Sequence, residues 1–493
     1  MDERKAHRDE TEMLTALRAA EQNGTLRETL IRELSRPHSA PAFWAVREFL
    51  FQLTDREIGE SPVLIPVMAL IQSMRGDLRE AERYVSMLCD PQDGQAADLE
   101  FYRLSAELVM PYITDEQFVR VVQTLAASHA GPVPSLIISA CRPSILNGFR
   151  DFSAFGDKIV TYKEPVCAAI EALYGSSATG IYEIALAEWY YQRNECFKAL
   201  LLVTGTIPFM EQMHDMRCLF VALALQMRIL LMNGQARGAG MIAEKIRRRI
   251  SVTGWDELTD SLDALNAWAA CSDGDYGAVR SWLKDRAPDE DQGIYMMNVY
   301  AYLIKARCYI VFGKHMKAAV LVRRLIALLE PGRRYTDVCE CYALSAIAAL
   351  AAGDEDRACA DTGEALALSR RYGYYRLLAD EGEFMVRLLS LYEERVGADA
   401  FTEKIKGLAM EVARQCPRYL RRPWEDHEPL TRMESYVLYL LSQERTNEEI
   451  AENLNIKIGT VKFHITNINR KLRVKNRRQA VQRARELSLL QEE

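Results

Sequence analysis

Between Lys457 and Arg485 the chain carries ten lysines and arginines and not one aspartate or glutamate. Such a run suits phosphate, because each cation that neutralises a phosphate releases condensed counterions, which supplies most of the affinity of nucleic-acid complexes. Val461, Ile465, Ile468 and Leu472 are spaced four, three and four apart and make one apolar helical stripe. The other face then holds Lys462, Phe463, Thr466, Asn469, Arg470 and Arg473. Lys462 and Arg470 have donors for guanine O6 and N7, Asn469 can bond adenine, and Phe463 can touch a thymine methyl. Arg473, Lys475, Arg477 and Arg478 fall at the helix end and the following turn, where phosphate contacts are expected rather than base contacts. Thr460, at the helix start, is grouped with these phosphate contacts. His464 has two readings, a phosphate bond or packing inside the domain.

The elements that must hold this face are written around it. Thr431 with Glu434, and Thr446 with Glu449, fit capping boxes that open two short helices. Val437, Leu438 and Leu441 line the first, and Ile450, Ala451 and Leu454 line the second. A turn over 455–459 leads to the basic helix, expected from about Thr460 to Leu472. A last helix from near Asn476 buries Ala480, Val481, Ala484 and Leu487. The expectation is four helices, the second and third forming a helix-turn-helix whose third helix enters the major groove of double-stranded DNA.

This stretch resembles the DNA-binding domain of the LuxR (GerE) family of bacterial transcription regulators. The resemblance rests on Leu430, Thr431, Arg432, Glu434, Val437, Leu438, Leu441, the run Thr446 to Ala451, Leu454, Ile456, Thr460-Val461-Lys462, His464, Asn467-Ile468, Lys471-Leu472, Val474, Arg477 and Ala480-Val481. It implies that Lys462, Phe463 and Thr466 face bases. It also implies a homodimer on DNA formed through the fourth helix, with Val481, Ala484 and Leu487 as candidates. Two positions depart from the family pattern. Lys457 replaces a serine that would cap the recognition helix, a loss of about 1 kcal/mol, and Glu444 stands near the family's glycine.

The body has a period. Turn residues Asn194, Gly234, Gly274, Gly313 and Gly353 recur at about forty residues, each followed by an alanine: Ala199, Ala239, Ala278, Ala318 and Ala358. Gly76 with Ala81 repeats the signature early in the chain. Each unit reads as helix, left-handed turn, helix. The fold class is therefore all-α: an α-solenoid of tetratricopeptide type over 61–415, coiling into a superhelix with a concave face, then the four-helix module over 430–493. Residues 1–60 are expected to form a helical cap, with helices at 3–23, 26–36 and 43–55. The repeat breaks over 130–180, and the prolines at 417, 423 and 429 mark a linker over 416–429. The body resembles the solenoid of large MalT-like, LuxR-type regulators, but no G-x-x-x-x-G-K-[ST] phosphate loop occurs, so no ATPase head is expected.

Net charge is −7. Residues 430–493 hold twelve basic and eight acidic side chains, +4, which leaves −11 for the preceding residues. The basic face is thus local, and the acidic body should not hold DNA non-specifically. The charged start of the chain is unlike a secretory signal, and no apolar run is long enough to span a membrane. The eleven cysteines are scattered, as in a reduced cytoplasmic protein. Cys339-Glu-Cys341 lacks neighbouring histidines, and no metal, cofactor, nucleophile–base pair or catalytic activity is expected. Trp189, Tyr190, Trp268 and Tyr309 read as inter-repeat core before they read as a ligand pocket. The function these features point to is a cytoplasmic, sequence-specific DNA-binding regulator whose solenoid senses a small molecule or a partner protein. The competing reading is a scaffold whose basic C-terminal module binds protein.

Overall fold

The computed structural model describes every residue except 1–2, 37, 39, 89–95, 109, 112, 129–141, 149, 213–215, 256–257, 292, 422–429, 487–489 and 491–493. Among the described residues the fold is all-α, and the one β-type feature is an isolated bridge between Asn147 and Asp151.

Six helix pairs share one turn. They are Leu64–Arg75 with Leu78–Ser86, Ile181–Gln192 with Cys196–Met210, Met216–Met232 with Ala236–Thr253, Thr259–Asp273 with Tyr276–Asp285, Val299–Val311 with His315–Leu329, and Tyr335–Ala352 with Glu355–Tyr372. The anchors Gly76, Asn194, Gly234, Gly274, Gly313 and Gly353 all have positive φ, from 64° to 84°. After each, the next N–H reaches back five residues to a helix carbonyl: Asp77 to Gln72, Glu195 to Tyr190, Gln235 to Leu230, Asp275 to Ala270, Lys314 to Tyr309 and Asp354 to Ala349. This closure satisfies carbonyls that the helix end would otherwise orphan. Asp77, Asp275 and Asp354 then cap the second helix by accepting a backbone N–H three residues on.

The fifth residue after each anchor is the contact between the two helices. Ala81, Ala199, Ala239, Ala318 and Ala358 are all buried there. The sequence expectation of Ala278 in the fourth pair is corrected: Ala278 is exposed, and Val279, at the same register as the other alanines, is buried. The final pair, Gly382–Arg395 and Ala400–Gln415, lacks this turn and opens its second helix with an Asp399–Thr402 capping box.

The N-terminal segment departs from expectation. Helices Glu3–Asn23 and Leu26–Leu34 are present, but the single helix expected over 43–55 is two short ones, Ala40–Ala45 and Arg47–Leu50. Thr54 and Glu57 then form a capping box that starts helix Asp55–Gly59 afresh. These helices do more than cover one end of the array. Trp44 lies 5.0 Å from Tyr295, centroid to centroid, and Met297 belongs to the N-terminal core. A Cβ on Gly76 would come within 2.1 Å of the Leu328 side chain, so both backbone and neighbour require glycine there.

The array also turns back on itself. The short helix Tyr375–Ala379 packs on helix Ile181–Gln192, where the Leu377 N–H donates to the Gln192 side chain. The irregular segment after 141 enters the space so enclosed. Arg142 and Asn147 both donate to Asp337, and the Thr336 N–H donates to Asp151 at 2.7 Å. The expected linker begins as part of the body: Cys416, Tyr419 and Leu420 are buried, and the Cys416 thiol donates to the Leu231 carbonyl. Its remainder, 422–429, lies outside the described residues.

The C-terminal module has its own core. Helices Arg432–Ser442, Asn447–Leu454, Ile458–Lys471 and Arg477–Glu486 enclose Val437, Leu438, Leu441, Ile450, Val461, Ile468, Leu472, Ala480 and Ala484. No helix among the described residues is long and apolar enough to cross a membrane.

Candidate functional site

Both expected capping boxes of the module form, Thr431 with Glu434 and Thr446 with Glu449. The turn of the helix-turn-helix is closed by Asn455 at φ 52°, with the Ile456 N–H donating to Ala451. The third helix starts at Ile458, slightly earlier than expected, and takes Gly459 into its first turn. Lys457 is its N-cap and supplies no side-chain bond, the deficit expected from the missing serine.

Lys462, Phe463, Thr466 and Arg470 are exposed on this helix, and Phe463, 62 % exposed, meets the edge of the His464 ring at 6.0 Å, centroid to centroid. The Thr466 hydroxyl donates to the Lys462 carbonyl. Asn469 and His464 sit at the border of the buried stripe, and the Asn469 Oδ1 and His464 Nδ1 are buried without a hydrogen-bond partner. Thr460, Arg473, Lys475 and Arg478 are exposed around the helix ends. Arg477 is half-buried and donates to the Arg445 carbonyl, pinning the fourth helix to the turn after the first. On the fourth helix the dimerisation candidate Ala484 is wholly inside the module's own core. Val481 is half-buried, and Leu487 lies outside the described residues.

One stabilising pair of the module was not read from the sequence. Glu434, beyond its capping role, accepts from Lys471 at 2.7 Å and so ties the start of the first helix to the end of the third. Burial opposes its ionisation, but Lys471 and the Thr431 donors more than offset that, and its pKa lies below the usual carboxylate range. Thr431-x-x-Glu434 gave the cap, while the thirty-seven residues to Lys471 gave no local signal.

The body holds a second site, a partly open cavity of about 110 Å³. The helices before the turns supply much of its wall at one repeated register. Glu188, Arg228, Trp268 and Arg307 each stand six residues before their anchors, and Leu225, Leu265 and Ile304 line it at a second register three residues earlier. Of the aromatics singled out from sequence, Trp189 and Trp268 line this cavity, whereas Tyr309 turns its hydroxyl to Glu290.

Around the cavity runs a buried ionic network. Glu340 accepts from Arg142 at 3.0 Å and from Arg307 at 2.8 Å. Arg307 also pairs with Glu381, and its Nε donates to the Tyr419 hydroxyl at 2.9 Å. Arg334 pairs with Asp337 at 2.6 Å and Arg376 with Asp380 at 2.7 Å. Burial alone would raise the Glu340 pKa, but Arg307, Arg142 and Arg228 bring it down to about 2. Glu188 is different: burial pushes its pKa up, against the donors Ser144 and the Ile145 and Leu146 amides. The sequence did carry a trace of this site, since charged residues interrupt otherwise apolar helices at one fixed distance from the turn.

A helical-repeat body joined to a small helix-turn-helix module defines the class of protein. Residues 167–395 match the model of the MalT-like TPR region, and residues 428–484 match that of bacterial regulatory proteins of the luxR family. The chain therefore carries a MalT-like repeat region followed by a LuxR-type domain, as its sequence motifs suggested. The transcriptional regulatory protein LiaR of Bacillus subtilis (strain 168) is 45% identical over 89 residues, 17% of this chain and 42% of LiaR. DesR, a transcriptional regulatory protein of the same strain, is 40% identical over 70 residues, 14% of this chain and 35% of its own. The transcriptional activator protein ExpR of Pectobacterium parmentieri is 43% identical over 65 residues, 13% of this chain and 26% of its own. The chain thus spans less than half the length of these curated relatives.

Proposed function

We propose that the chain is a transcription regulator that binds double-stranded DNA in a sequence-specific way through its C-terminal module. The observation that carries this reading is the exposed face of helix Ile458–Lys471, where Lys462, Phe463, Thr466 and Arg470 stand clear of a complete four-helix core. In this reading the third helix enters the major groove, with Asn469 at the edge of the reading face. Thr460, His464, Arg473, Lys475, Arg477 and Arg478 are assigned to phosphates. Binding as a homodimer would use exposed positions of the fourth helix around Val481, and the protein would act in the cytoplasm, where bacterial DNA lies.

The repeat body is assigned the role of sensor. A bounded cavity whose wall mixes arginines and carboxylates with a larger apolar surface favours a small molecule over a protein partner as the effector. The test is footprinting of the full chain beside a Lys462→Ala, Arg470→Ala variant. Discrete sites that disappear in the variant are expected. Sites that persist unchanged would remove DNA reading from this helix.

A further inference from the structure

The cavity has a chemistry that the sensor reading leaves unspecified. Four arginines line it, Arg142, Arg193, Arg228 and Arg307, against two carboxylates, Glu188 and Glu340. Both carboxylates are satisfied from within, Glu340 by two guanidinium groups and Glu188 by a hydroxyl and two amides. Arg142 and Arg307 are likewise committed to carboxylates. Arg228 is held differently. Its Nε and Nη2 both turn to one oxygen, Oδ2 of Asp380, at 3.2 Å. Its guanidinium lies over the rings of Tyr191 and Trp268, 5.5 and 5.4 Å from their centroids. That leaves Nη1 without a hydrogen-bond partner among the described residues, on a side chain that is 30% exposed. Beside it, Leu225, Leu265 and Ile304 give the cavity an apolar floor.

We propose that the cavity binds a short-chain organic monocarboxylate, with its carboxylate on the free edge of Arg228 and its alkyl chain over Leu225, Leu265 and Ile304. A guanidinium fixed in orientation by Asp380 and two aromatic rings is a pre-organised donor for a carboxylate, and the charge-assisted bond is stronger than one to a neutral amide. Size sets the class. An apolar cavity of about 150 Å³ takes up benzene, so 110 Å³ admits an acid of a few carbons and refuses a bulky one. The inference rests on the sensor reading of the body but not on the DNA reading of the module.

The test is isothermal titration calorimetry on the full chain with acetate, propionate, butyrate and octanoate, and with butyramide as the neutral isostere of butyrate. Propionate or butyrate is expected to bind at least about tenfold more tightly than butyramide, a gap of one charge-assisted bond, and octanoate not at all. Arg228→Lys, which keeps the charge and loses the flat fork, is expected to weaken butyrate by about tenfold or more while leaving the circular dichroism spectrum unchanged. The wild-type comparison of butyrate with butyramide does not depend on any variant folding. Absence of binding by all four acids overturns the proposal, as does equal binding of butyramide or unchanged affinity in folded Arg228→Lys. Footprinting done in parallel separates the two readings: acid binding without DNA sites would overturn only the regulator, and DNA sites without acid binding only the cavity.

Discussion

Lys462 stands exposed on the third helix of the module, while Arg307 lies 3% exposed inside the body with Glu340, Glu381 and Tyr419 around it. The module's third helix keeps Lys462 outward, on a face no carboxylate interrupts. The body draws one set of its charges inward and pairs them. An outward cation contributes little to folding and is available for a partner. An inward one is tied to its counter-charges, and removing it leaves carboxylates stranded in a medium that solvates them poorly. The same residue types therefore serve recognition at one end of the chain and construction at the other.

The largest way to break this comparison is Arg307→Met. It takes the cation from Glu381, which keeps only the Tyr419 hydroxyl, leaves Glu340 to Arg142 alone and removes the donor to Tyr419, so the body is expected to lose about 3–5 kcal/mol of stability. Chemical denaturation followed by circular dichroism reads this directly, and a loss below about 1 kcal/mol would put Arg307 in the same class as a surface ion pair. Lys462→Ala is the counterpart at the other end. It should shift the unfolding midpoint of the module within experimental error but cost about 1–3 kcal/mol of DNA binding, measured by fluorescence anisotropy at fixed salt. Were the stability change larger than the binding change, the exposed face would be structural.

Acid separates Glu434 from this pattern, because its pair with Lys471 is turned inward. Its pKa is depressed in the folded state, so its contribution is fully present above the unfolded value near 4.3 and is lost as pH falls through the folded one. The module should therefore weaken on acidification from about pH 5 downward, and Glu434→Gln should flatten that part of the profile. Thermal melts of the full chain between neutral and acid pH, compared with the variant, check the sign. A profile that the substitution leaves unchanged would assign the acid response to other carboxylates.

How much of this was legible depended on how local the signal was. Capping boxes, helical stripes and the forty-residue turns are set by residues within one or two turns of helix, and Thr431, Thr446, Gly234 and Gly353 all did what their neighbours implied. Ala278 misled because residue type was followed and not register: Val279, the fifth residue after its turn glycine, fills the slot that alanine fills in the other units, and Ala278 lies one residue short of it. The single helix expected over 43–55 failed because apolar spacing was continuous, although Thr54 and Glu57 already marked a fresh start. The cavity and the Glu434–Lys471 pair join residues far apart in the chain, and one sequence states the register of such residues but not their meeting. Arg142 shows this most plainly, since it falls within 130–180, where the repeat breaks, and is a partner of Asp337 and Glu340.

The turns allow the finest comparison, because body and module use the same closure with different residues. In the module, Glu444, Asn455 and Arg473 take the left-handed position, with φ of 61°, 52° and 55°, and the following N–H groups reach back five residues as they do after the body's glycines. A side chain in that region costs about 1 kcal/mol where glycine costs none, partly offset by the greater freedom glycine has in the unfolded chain. Glu444→Gly is therefore expected to stabilise the module by up to about 1 kcal/mol. Gly353→Ala should cost the body a similar amount, since a Cβ there meets nothing within 4 Å and only the backbone objects. Gly76→Ala should cost distinctly more, because Leu328 occupies the space as well. Equal losses at Gly76 and Gly353 would mean that Leu328 yields freely, and that the contact between the N-terminal units and the repeats beyond residue 295 is looser than its packing suggests.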